Sequence, residues 1–82
     1  MDNHQQTREE FISANRSNIG LEIQKIRVKK GFSPAHLAEI MGISRATISK
    51  IENGKFAISV DYLAKFAWHL DFDVILSEKV NL

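Results

Sequence analysis

The 82-residue sequence predicts an all-α domain of four core helices, with a short helical arm before them and one β-strand after them. Three observations carry that prediction. Apolar residues recur at three- and four-residue spacing in four separate segments. Ser or Thr stands where helices should open, and Gly stands where three of them should close. After Leu70 the pattern switches to a two-residue alternation, the period of a strand.

The arm opens at Thr7-Arg8-Glu9-Glu10, where Thr7 and Glu10 have the spacing of a capping box, and should run to about Ala14. Asn15 to Asn18 is polar and reads as a break, with a continuous helix as the alternative. The first core helix covers about residues 19–30, with Ile19, Ile23 and Ile26 on one side and Gly31 as its stop. Ser33 caps the second, Pro34–Met41, and Pro34 occupies the first helical position, where a missing N–H does no harm. Leu37, Ala38 and Met41 form its apolar face. Gly42 tolerates the left-handed exit that a sharp turn needs.

Ser44 opens the third helix, residues 45–53, whose apolar positions are Ile48 and Ile51 and whose end is Asn53-Gly54. Small Ala38 allows helices two and three to cross closely, and Ile43 plugs the angle between them. Ser59 caps the fourth, Val60–Leu70, with Val60, Leu63, Phe66, Ala67 and Leu70 as its core arc. Residues 71–77 then alternate, with Phe72, Val74 and Leu76 on one side and Asp73, Ile75 and Ser77 on the other. A lone strand leaves half of its ladder unpaired, and the simplest remedy is the same strand of a second copy, antiparallel across a two-fold axis. A further short helix, or a tail packed on the core, is the alternative. The resulting division is an arm over residues 1–16, a domain over 17–71 and a strand with its tail over 72–82.

Composition narrows the class. A hydrophobic fraction of 44% with 26% charged residues is ordinary for a globular protein, and 82 residues suffice for one small core. The absence of Cys excludes disulfides and thiolate metal sites and suits a reducing cytoplasm. No apolar run reaches the roughly 18 residues a membrane helix needs, and MDNHQQTREE has no leader-like apolar stretch. A cytoplasmic protein with no membrane partner is expected.

The net charge of +1 hides an uneven distribution. Residues 1–16 carry −1 and residues 56–82 carry −2. Residues 17–55 carry +4, from Lys25, Arg27, Lys29, Lys30, Arg45, Lys50 and Lys55 against Glu22, Glu39 and Glu52. Positive charge is concentrated around the paired second and third helices, as expected of a surface that faces phosphate. No catalytic arrangement emerges. His4, His36 and His69 lack metal-ligand spacing, and Gly31, Gly42 and Gly54 end helices without a preceding strand of the nucleotide-binding kind. No enzyme activity, cofactor or metal is expected.

Taken jointly, several positions resemble the phage-repressor-like (Xre-type, lambda-repressor-like) helix-turn-helix domains. They are Arg27 four residues before Gly31, Leu37-Ala38, Gly42-Ile43-Ser44, Thr47-Ile48-Ser49 and Ile51-Glu52-Asn53-Gly54. The likeness covers residues 19–70. It implies a sequence-specific transcriptional regulator of double-stranded DNA, most simply a repressor, that works as a homodimer on a near-palindromic operator. The strand ending resembles the HipB-type antitoxins, which implies as an alternative a toxin protein as partner and an autoregulated operon.

The resemblance also implies roles for particular residues. The third helix would enter the major groove, with Arg45, Ala46, Ser49 and Lys50 at base edges. Arg45 or Lys50 can donate to guanine O6 and N7, Ser49 suits either partner, and the Ala46 methyl can meet that of thymine. Ser44, Thr47, Asn53 and Lys55 would touch phosphate. Arg27 and Glu52 would form a structural salt bridge. Independently of the resemblance, Trp68 falls off the core arc and reads as an interface anchor, joining the strand residues Phe72, Val74, Ile75 and Leu76 in a dimer contact; packing beneath the strand or the N-terminal arm of its own chain is an equal possibility. Pro34 departs from the family, where Gln at this position contacts the DNA backbone and buttresses the third helix. Proline can do neither.

Overall fold

The computed structural model describes residues 5–80; residues 1–4, with His4 among them, and 81–82 lie outside it. Four helices follow one another: α1 (Arg8–Lys29), α2 (Pro34–Met41), α3 (Arg45–Glu52) and α4 (Val60–Leu70). Each opens on the expected cap. Thr7 accepts from the Glu10 N–H at 3.1 Å while the Glu10 carboxylate accepts from the Thr7 N–H at 3.0 Å. Ser33, Ser44 and Ser59 accept from His36, Thr47 and Tyr62. These bonds satisfy N–H groups that the first helical turn leaves free.

The arm and the first core helix are one element. α1 runs unbroken for 22 residues, about 33 Å at 1.5 Å per residue. The expected break at Asn15–Asn18 is therefore corrected: this segment is polar but contains neither Pro nor Gly, and polarity alone does not interrupt a helix. The first two to three turns extend past the core, and the molecule measures 49 × 24 × 22 Å.

The core is small and continuous. Ile23 of α1, Leu37 and Ala38 of α2, Ile48 and Ile51 of α3, and Phe66 and Leu70 of α4 are buried together. Ile19, Ile26, Met41, Ile43, Tyr62, Leu63 and Phe72 close around them. Val60, expected on the core arc, is instead 76% exposed. It is the first residue of α4, where Tyr62 and Leu63 rather than Val60 turn toward the core.

Two glycines let α1 lie directly on the end of α3. A side chain at Gly20 would overlap the Ile51 carbonyl oxygen. Gly54 has φ +71°, and a Cβ there would stand 2.6 Å from Ser17 Oγ and 2.8 Å from Ser17 Cα. The α3–α4 loop thus crosses α1 with no room for any other residue.

Past Leu70, Asp71 ends α4 in the left-handed conformation at φ 61°, and its carboxylate lies 3.9 Å from the Lys30 ammonium. The Phe72 N–H donates to the Ala67 carbonyl at 3.1 Å. Residues 72–80 form no regular element, and no strand exists among the described residues. A ladder needs a second strand, and a single chain offers this segment none. The tail turns back along α1: Val74 and Ile75 border a groove with Asn18 and Glu22, and Lys79 Nζ sits 5.1 Å from the Phe11 ring centroid.

Candidate nucleic-acid interface

α3 is held from one side and bare on the other. Ile48 and Ile51 are fully or almost fully buried, fixing the rotation of the helix about its axis. Arg45, Ala46, Ser49 and Lys50 are all exposed on the opposite side. The arrangement gathers two cations, a hydroxyl and a methyl on one short face. Arg and Lys can donate to a guanine edge, and a methyl can meet the methyl of thymine.

Beneath that face the helix is anchored by charge. Arg27 Nε donates to Glu52 Oε2 at 2.6 Å, Nη2 to Oε1 at 3.0 Å, and Nη1 to the Phe32 carbonyl at 2.8 Å. The two side chains are 8% and 6% exposed. A bidentate fork with the third guanidinium nitrogen also bonded is the geometry in which a buried pair offsets its desolvation. It ties α1 to the last residue of α3 and to the loop before α2.

The polar residues at the helix ends are in different states. Ser44 Oγ and Thr47 Oγ1 are 2.8 Å apart, so one hydroxyl proton is used between them and one is left for an outside acceptor. Asn53 Nδ2 donates to the Ser49 carbonyl at 2.8 Å and to Ser49 Oγ at 3.4 Å. The amide N–H of Asn53 is thus engaged with Ser49 inside the helix. Lys55 is exposed, its own N–H donating to the Lys50 carbonyl at 2.8 Å.

At the start of α2, Pro34 has no N–H, while those of His36 and Leu37 go to the side chain and carbonyl of Ser33. Among the described residues this leaves Ala35 with the one unspent N–H of that turn. A hollow of about 240 Å³ opens between this end of α2, α1 and α3, bordered by Gln24, Pro34, Arg45, Ser49 and Asn53.

The profile of the helix-turn-helix family matches residues 23–74, which takes in α2, α3, α4 and the last third of α1. The chain belongs to this Xre-type helix-turn-helix family. Among solved structures, the restriction-modification controller protein C.AhdI from Aeromonas hydrophila is similar, with a TM-score of 0.68 and 28% sequence identity. The likeness covers 73% of this chain and 91% of that one. No curated protein matches the chain significantly.

The remaining expected residues lie at the other end of this helix-turn-helix domain. Trp68 is 83% exposed beside Ala64, Ala67, Asp71 and Phe72. Phe72 packs on its own core, Val74 is half-exposed at the groove along α1, and Ile75 and Leu76 are largely exposed, Leu76 at 97%. The sequence reading passed over Gly20 and Gln24. Gly20 falls mid-helix, where one glycine carries no local signal, and Gln24 gains meaning only from the hollow that folding builds beside it. Among the described residues no helix is long and apolar enough to span a membrane, and no group of three His, Cys, Asp or Glu side chains is placed to hold a metal.

Proposed function

We propose that the chain is a sequence-specific, double-stranded DNA-binding transcriptional regulator, a repressor that occupies a near-palindromic operator as a homodimer. The observation that carries this reading is the face of α3. It is the second helix of the helix-turn-helix pair, its inner side is locked by Ile48, Ile51 and the Glu52 fork, and its outer side presents Arg45, Ala46, Ser49 and Lys50. In the major groove these four would meet base edges, with Ser44, Thr47 and Lys55 beside the phosphates. Asn53 would first have to release Ser49. Two copies would read half-sites roughly 10–10.5 bp apart, centre to centre.

The dimer contact in this reading is the apolar surface of Trp68, Val74, Ile75 and Leu76, with Phe72 at its base. Such side chains are costly to leave in water, and paired tails would give each other the ladder that one chain lacks. Selection of DNA from a random pool by the full-length protein tests the function. Enrichment of an inverted repeat is expected; binding without sequence preference rules the regulator out.

A second reading, an antitoxin with a toxin protein as partner, draws its support from Phe11 and Ile12, exposed on the part of α1 that lies beyond the core. Its test is copurification of a second protein encoded beside this one. A protein isolated alone, with full occupancy of its operator, excludes it.

A further inference from the structure

We infer that α1 forms part of the DNA-binding surface, with Gln24 donating to a backbone phosphate at the edge of the groove that α3 enters. The inference rests on the DNA-binding reading above. Gln24 lies four residues after Gly20 and three before Arg27, so the three share one stripe of α1. Both neighbours are buried against the end of α3: Gly20 at the Ile51 carbonyl and Arg27 on Glu52. Gln24 is on the same stripe and exposed, because it lies over the hollow rather than over backbone.

The rim of that hollow carries two of the base-reading candidates, Arg45 and Ser49, together with Pro34. A helix in the major groove has a sugar-phosphate strand along each side, and the strand on the α2 side passes this rim. Two other groups on the rim offer that strand little. Pro34 has neither N–H nor polar side chain, and the Asn53 amide is engaged with Ser49. Gln24 supplies a primary amide from the third side of the same hollow, and its length lets it reach outward where a shorter side chain would not. The absence of a side chain at Gly20 is what brings it there, since a Cβ at position 20 would hold α1 off the Ile51 carbonyl.

The test uses the full-length protein and the sequence enriched by the wild type, with affinities measured at several salt concentrations. Gln24→Ala should weaken binding about tenfold, as loss of one hydrogen bond to a charged oxygen implies, and equally on single-base variants of the site. Gln24→Lys should bind at least as well as wild type and steepen the log–log salt dependence by about 0.9, one more phosphate neutralised. Gln24→Ala within twofold of wild type, together with an unchanged salt slope for Gln24→Lys, overturns the contact. A loss confined to one base position overturns it too, since Gln24 would then read a base. If the wild type enriches no sequence, the DNA-binding reading falls and this contact with it; enrichment with unresponsive Gln24 variants removes the contact alone.

Discussion

Gly20 of α1 lies so close to the carbonyl oxygen of Ile51 in α3 that even a methyl group at position 20 would overlap it. Gly20→Ala therefore sets two effects against each other. Alanine adds about 1 kcal/mol of helix preference. Overpacking typically costs about 1–3 kcal/mol, and here the obstacle is backbone, which cannot rotate away, so the upper part of that range applies. The urea midpoint of Gly20→Ala should fall below that of wild type. An equal or higher midpoint would mean that α1 and α3 do not approach this closely.

The Arg27–Glu52 fork makes a larger claim on stability. Glu52→Ala strands a buried guanidinium, and breaking such a pair costs about 3–5 kcal/mol. Replacing both residues by apolar ones of similar size, Arg27→Met with Glu52→Leu, should recover most of that loss, because no charge is left buried. Thermal melts of the three variants give the comparison. A double variant as unstable as Glu52→Ala contradicts the account.

On the DNA-binding reading, Arg45→Ala and Lys50→Ala should each cost about 1–3 kcal/mol and relax preference at particular base pairs. Lys55→Ala should lower affinity on all sequences alike and reduce the salt slope by about 0.9. Binding isotherms on a panel of single-base variants separate the two behaviours. Should Arg45→Ala act like Lys55→Ala, Arg45 belongs with the phosphate contacts.

The dimer contact is open to a substitution that spares the single chain. Ile75 and Leu76 are exposed, so Ile75→Glu with Leu76→Glu should leave the melting curve of the monomer unchanged while shifting sedimentation from dimer to monomer. Persistence of the dimer in that double variant places the joint elsewhere, with Trp68→Ala as the next variant to examine.

The helix-turn-helix was legible in the sequence because its signals are local. Ser33, Ser44 and Ser59 cap helices through their own hydroxyls, Gly42 turns with φ 69°, and Leu37, Ile48, Ile51, Phe66 and Leu70 keep helical spacing into a common core. What escaped depends on partners distant in the chain. Asn15–Asn18 looked like a break because amphipathicity fades where α1 leaves the core, although the backbone has no reason to stop. Residues 71–77 have a strand's alternation, but alternation describes faces and says nothing of a neighbouring ladder. Asp71, at the head of that segment, belongs to the helix before it and ends α4 in a left-handed turn. Gly20 and Gln24 acquire their roles only when α1 is laid across the end of α3.

The sealed ion pair has a historical consequence. With 8% and 6% of their side chains reaching solvent, the acid and the base at positions 52 and 27 cannot be exchanged one at a time without a step of about 3–5 kcal/mol. Against the roughly 5–15 kcal/mol that holds a whole domain together, such an intermediate would give up between about a fifth and all of its stability. Any descendant of this sequence that abandons the fork must therefore change both ends nearly together, or first gather spare stability elsewhere.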